Sequence, residues 1–129
     1  MANIGVNALL IPTYKIDKAI LLFNLIGWKI VERKEGVALF EMHDGIIAQI
    51  MQIPETIPFF PIGVSLCSGN VEAVLKVLIG LLVEWKISPL NCQKISNDTW
   101  KIIILEIFPI PIKLTNKKIS RLCAGHCKS

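Results

Sequence analysis

Apolar and polar positions along this chain follow a pattern that runs once and then runs again. Residues 4–12 form a nearly unbroken apolar run closed by Pro12 and Thr13, which predicts a buried strand. From Asp17 the spacing changes. Ile16, Ile20, Leu22 and Phe23 recur at intervals of three and four, predicting a helix that closes at Gly27. Residues 28–33 return to strand character, Lys34-Glu35-Gly36 turns the chain, and 37–42 is a second strand. His43-Asp44-Gly45 reads as a hairpin turn and 46–53 as a third strand. The unit is β-α-β-β-β. Residues 54–61 carry three prolines and read as a linker.

Beyond the linker the same order returns. Residues 63–67 read as a strand, Ser68-Gly69-Asn70 as a turn and helix start, and 71–83 as a helix. Strands follow at 85–87, 100–107 and 110–115, with 89–98 a polar stretch that reads as an irregular loop. Gly5-Val6-Asn7 recurs as Gly63-Val64-Ser65, and Gly27-Trp28-Lys29-Ile30 as Glu84-Trp85-Lys86-Ile87. The two matches lie in nearly the same register, which marks a duplication. One such module would leave an apolar sheet face uncovered. Two modules cure this by joining edge to edge into a curved, half-closed mixed sheet with the helices outside. The expected class is therefore α+β, a single domain over 1–116 (module one 4–53, linker 54–61, module two 62–115) followed by a tail over 117–129. The hollow of the sheet is the natural seat for a small ligand.

Composition supports a packed body. Of 129 residues, 53% are hydrophobic and 19% charged, which excludes disorder for most of the chain and suggests apolar surface left over for a second subunit. The net charge of +4 is local: Lys113, Lys117, Lys118, Arg121 and Lys128 lie in a terminal stretch with no acid after Glu106. Without them nine bases face ten acids, so no basic face for nucleic acid is expected. The first positive charge is Lys15, behind an apolar stretch, which inverts signal-peptide order. The most lipid-like window, 71–83, contains Glu72 and Lys76 and is shorter than a bilayer span of about 20 residues. A cytoplasmic protein without membrane contact is the expectation.

Four cysteines are not needed to hold a core of this size. Cys67 reads as a small buried hydrophobe, and Cys123-Ala124-Gly125-His126-Cys127 supplies only three soft ligands where a structural zinc takes four. No nucleophilic triad, phosphate loop or dinucleotide fingerprint is present.

The duplicated modules, with the helix Ile16-Asp17-Lys18-Ala19-Ile20-Leu21-Leu22-Phe23 leading to Gly27-Trp28 and a second helix start at Asn70-Val71-Glu72-Ala73-Val74-Leu75, resemble the glyoxalase/bleomycin-resistance/dioxygenase superfamily, the vicinal oxygen chelate proteins. The likeness runs over about 4–115. It implies a cavity where metal-dependent members hold one divalent ion with His, Gln and Glu from the first and last strands of each module. Counted onto this chain, those positions fall at Asn7, Gln49, Gly63 or Ser65, and Lys113. An amide pair, a hydroxyl and an ammonium make a poor cage for a dication, and the two histidines, His43 and His126, lie elsewhere. No metal, cofactor or catalytic residue is therefore expected.

The expectation is a homodimeric protein that binds or sequesters a small molecule. Asn7, Gln49, Ser65 and Lys113 are its polar anchors, and Trp100 is a stacking surface. Gln52 competes with Gln49 for the inward position, because 46–53 does not alternate cleanly. Trp28 and Trp85 read as equivalent core positions. Two other readings stand beside it. One is a metal-dependent lyase or isomerase of the same superfamily, its metal held by ligands other than those counted above; separately, Glu41 and Glu106 lie in strands among apolar neighbours, where a carboxylate is able to do proton chemistry. The other is an interaction protein whose cavity is filled.

Overall fold

The computed structural model describes residues 8–42, 45–87 and 91–116. Asn7, His43, His126 and the 117–129 tail lie outside that set. Short alternating segments build the first half: β1 (Ala8–Thr13), α1 (Ile16–Leu25), β2 (Lys29–Lys34), β3 (Val37–Glu41) and β4 (Ile47–Gln52). β1 runs parallel to β4, and β4-β3-β2 continue antiparallel, giving the order β1-β4-β3-β2. The second half repeats this with β5 (Val64–Ser68), α2 (Val71–Glu84), β6 (Asn91–Lys94), β7 (Thr99–Ile103) and β8 (Ile112–Asn116), ordered β5-β8-β7-β6. The architecture is α+β, two tandem β-α-β-β-β units. The sheets remain two separate four-stranded sheets, with no strand ladder joining them and no closed barrel among the described residues.

The duplication extends to single hydrogen bonds. The Thr13 hydroxyl accepts from the Lys15 N–H at 3.2 Å, and the Ser68 hydroxyl accepts from Asn70 N–H at 3.2 Å. The Gln52 side-chain oxygen accepts from the Ile16 N–H at 3.0 Å, and that of Asn116 from the Val71 N–H at 3.4 Å. In each half, then, the last strand supplies an amide that satisfies an otherwise orphaned donor in the first turn of the helix. This decides between the two glutamines: Gln52 caps α1, and Gln49 faces the other side of the sheet.

The helices differ by one turn, with 10 residues in α1 and 14 in α2. Corresponding residues are offset by 55 at the helix starts (Ile16 against Val71) and by 59 at their ends (Leu25 against Glu84). The expected match of Trp28 with Trp85 is therefore corrected. Trp85 is the half-buried C-cap of α2, whereas Trp28 corresponds to Ile87. Both of these are buried, and their N–H groups donate to the carbonyls of Phe23 and Leu82, at 3.1 and 2.9 Å. The residues before them, Gly27 and Lys86, both have positive φ, 101° and 59°. This left-handed step ends each helix, and glycine takes it without strain.

Helix α1 lays Ala19, Leu22 and Phe23 on Ile11, Ala38, Phe40, Ala48 and Ile50, all buried. Phe23 stacks on Trp28 with ring centroids 4.5 Å apart and meets Phe108 edge-on at 5.8 Å. Helix α2 likewise covers Val64, Leu66, Ile102, Ile112 and Leu114.

Between β7 and β8 the chain leaves strand geometry, where the sequence predicted strands over 100–107 and 110–115. The Ile104 carbonyl accepts from the N–H groups of Ile107 and Phe108 at 3.0 and 2.9 Å, which makes a turn. Ile107, Phe108, Pro109, Ile110 and Pro111 are all buried there. The Ile107 carbonyl accepts from the Tyr14 N–H (2.7 Å) and the Thr13 hydroxyl (2.6 Å), while those of Pro109 and Pro111 accept from the Phe60 and Val64 N–H groups. A segment of the second half thus completes the core of the first. The prolines help, since each offers an acceptor and brings no donor to satisfy.

Three smaller expectations are also corrected. Residues 85–87 cap α2 and turn the chain out of it in place of a strand, and Asn91–Lys94 forms β6 inside the stretch that read as a loop. Cys67 alternates outward from buried Leu66, so it is exposed, and it is disulfide-bonded.

Candidate functional site

Because side chains alternate along a strand, each sheet has one face under its helix and one open face. On the first sheet, residues directly opposite one another place Leu10, Gln49, Leu39 and Glu32 in a row across β1, β4, β3 and β2 on the open face. Val37 and Lys34 form the next pair along. Glu32, Lys34, Val37, Leu39 and Gln49 line a shallow cavity of about 200 Å³. The Lys34 ammonium meets the Glu32 carboxylate at 3.2 Å on its rim. Val37 and Leu39 give it an apolar floor, with Gln49 supplying an amide beside them.

The corresponding row of the second sheet is Ser65, Lys113, Lys101 and Gln93, across β5, β8, β7 and β6. The matching amide caps, Gln52 and Asn116, each three residues beyond, make Gln49 and Lys113 counterparts. Beside this row, Thr99 and Thr115 share a hydroxyl–hydroxyl bond of 3.0 Å.

Of the residues singled out from sequence, Ser65 and Lys113 are therefore direct neighbours, and Gln49 holds the equivalent place on the other sheet. Trp100 lies on the helix-covered face, opposite Leu114 and packed against the core, with the Lys94 ammonium 5.3 Å from its ring centroid. It does not share a face with Ser65 and Lys113. Asn7 lies outside the described residues. Lys101 was missed, because only the register of β7 against β8 reveals it as the partner of Lys113.

Neither carboxylate considered for proton chemistry lies in an apolar pocket. Glu41 is exposed at the end of β3, and Glu106 is exposed in the turn after β7. The Glu106 carboxyl is held below its ordinary value, chiefly by a hydrogen bond from Lys18. Partial burial opposes this, and Lys15 adds to it. The ammonium groups of Lys18 and Lys15 lie 3.2 and 3.5 Å away, and Lys18 also sits over the Trp85 ring at 5.6 Å. This cluster ties α1 to the second half. The Cys92 thiol is pushed up by burial.

The divalent-ion site implied by the resemblance does not fit these residues. Gln49 offers one neutral oxygen, Ser65 a hydroxyl, and Lys113 a cation that repels another cation. No group of three His, Cys, Asp or Glu able to hold a metal occurs among the described residues. No described helix is long and apolar enough to cross a membrane.

No family model matches the sequence, and no curated protein matches it. Solved structures do match. A possible glyoxalase from Bacillus cereus aligns with TM-score 0.61 at 18% identity, over 88% of this chain and 99% of the other. The bleomycin resistance determinant encoded on transposon Tn5 aligns with TM-score 0.57 at 10% identity, over 87% and 97%. The fosfomycin resistance protein FosX of Listeria monocytogenes aligns with TM-score 0.59 at 10% identity, over 93% and 99%. At these identities the likeness is one of fold, and the chain has the fold of the vicinal oxygen chelate superfamily.

Proposed function

We propose that this chain, which shares the fold of glyoxalase and of the bleomycin- and fosfomycin-resistance proteins, binds a small molecule without a metal and without transforming it. The observation that carries this reading is the content of the two open rows. Where the resemblance calls for metal ligands, this chain presents Gln49 over an apolar floor and Ser65 beside Lys113. Amides, hydroxyls and ammonium groups orient a ligand by hydrogen bonding, and the apolar floor supplies contact area. Asn7 belongs to the proposed anchor set, whereas Trp100, packed on the helix-covered face opposite Leu114, does not.

The test is thermal stabilisation against a panel that includes bleomycin and fosfomycin, with each stabilising compound recovered and weighed by mass spectrometry. Saturable stabilisation by a compound recovered intact supports the reading. Stoichiometric bound metal together with turnover of the compound replaces it with the lyase or isomerase reading.

One observation favours a second, oligomeric reading. Ile62, Val83 and Leu105 are 82%, 71% and 60% exposed, and Leu10 is 51% exposed on the open face of the first sheet. Apolar surface of this extent suits a homodimer. Light scattering behind a sizing column reads twice 14.4 kDa if it forms and 14.4 kDa if it does not. A filled cavity in an interaction protein predicts the dimer with no stabilisation by any compound. The cytoplasm is the proposed compartment. A Cys67 disulfide that persists in protein extracted with thiols blocked assigns the chain to an oxidising compartment instead.

A further inference from the structure

Lys101 and Lys113 stand directly opposite each other on the central strands β7 and β8 of the second sheet. Both are partly buried, and among the described residues neither makes an ion pair or a side-chain hydrogen bond. Like charges placed opposite each other across strands oppose folding. The fold does not require them, since Leu39 and Gln49 occupy the same crossing in the first sheet. Among the described residues, the rest of that open face consists of Ser65, Cys67, Thr115, Thr99, Ile103, Asn91 and Gln93, with no carboxylate. The acid just before β7, Asp98, is already engaged by the hydroxyls of Ser96 (2.9 Å) and Thr99 (3.2 Å).

We propose that Lys101 and Lys113, flanked by Ser65 and Gln93, form a binding site for a doubly charged tetrahedral oxyanion, a phosphate or phosphonate group carried by the ligand. Two ammonium groups on neighbouring strands balance a dianion, where one lysine would suffice for a carboxylate. The hydroxyl of Ser65 and the amide of Gln93 extend the row of donors on either side, and a tetrahedral group has oxygens enough to meet several of them. The proposal deepens the small-molecule reading and rests on it for the ligand that carries the group.

The probes are inorganic phosphate and methylphosphonate, with acetate and chloride at matched ionic strength as the competing arms, followed by amide NMR on the full chain. The expected result is saturable shifts at Ser65, Gln93, Lys101 and Lys113 with phosphate and methylphosphonate only. Lys101→Gln and Lys113→Gln should each weaken phosphate about tenfold or more, as loss of a charge-assisted bond does. Each variant should also melt higher than the parent protein in the absence of phosphate, because the repulsion is gone. Equal shifts with chloride, shifts elsewhere only, or variants that melt lower without phosphate overturn the site. Stronger shifts with acetate make it a carboxylate site and overturn the dianion. If phosphate leaves this row unmoved while an uncharged compound from the panel still binds, the oxyanion site fails and the small-molecule reading stands. If phosphate binds here and no compound in the panel does, the reverse holds.

Discussion

A Cβ on Gly63 would overlap the carbonyl oxygen of Pro111 and lie 2.9 Å from its carbonyl carbon. Both are backbone atoms of a buried segment, so neither moves without shifting the chain that completes the core. Gly63→Ala is therefore expected to destabilise the protein by at least ~1–3 kcal/mol, the range for overpacking, measured as the shift in urea midpoint. Glu106 gives a pH signature. Its folded carboxyl titrates below the ordinary value because of Lys18 and Lys15, so its contribution is complete above the ordinary carboxyl range. That contribution disappears as pH falls through the lowered value. A comparison of melting temperatures for the parent protein and Glu106→Gln should show a gap at neutral pH that closes in acid and shrinks with salt. A gap that widens in acid would contradict the assignment. Residue by residue, the sequence exposed chemistry better than direction. Lys113 could be picked out by counting from turns and Ser65 by the internal repeat, but Trp100 could not be assigned a face without the register of β7 against β8.

Each helix begins at a junction built by three different strands or turns, and the two junctions are not equally supplied. Lys15 makes no side-chain cap to α1, which leaves the Gln52 oxygen as the side-chain acceptor for its first turn. In α2 the Asn70 side chain accepts from the Ala73 N–H at 3.1 Å, so Asn116 acts beside a second cap and at a longer 3.4 Å. Gln52→Ala should thus cost about 1 kcal/mol, typical of a lost cap, and Asn116→Ala distinctly less. Chemical denaturation of the two variants side by side checks the order. The helices and the hairpin strands were legible because periods of 3.6 and 2 are written in the side chains themselves. The stretch over 104–111 was not. Its apolar run reads like strand, and only contact with Tyr14 and Thr13 in the other half and with Phe60 in the linker explains why it turns. The polar β6 was missed for the opposite reason: an edge strand keeps its backbone pairing even when Asn91, Gln93 and Lys94 face water.

At the level of the whole chain, the two halves are physically one. Phe108 comes from the second half and packs its ring against Phe23 in the first. Phe108→Ala is expected to cost ~3–5 kcal/mol, and hydrogen exchange should show protection falling in β1, β4 and β8 together. Loss confined to the second sheet would mean that the halves fold independently. The duplication itself was visible in two short matching strings, yet neither lies in structural register: Ser65 holds the place of Leu10 in its row, and the extra turn of α2 is why Trp85 looked like the twin of Trp28. The strand orders β1-β4-β3-β2 and β5-β8-β7-β6 carry one further implication. In both sheets the strand made last slots into the interior beside the strand made first. During synthesis the second sheet must wait with an open gap until 112–116 has emerged, and the first stays short of its inner packing until 107–108 has. The nascent chain is thus held back from early completion, and residues 107–116 act as the fastener for everything made before them.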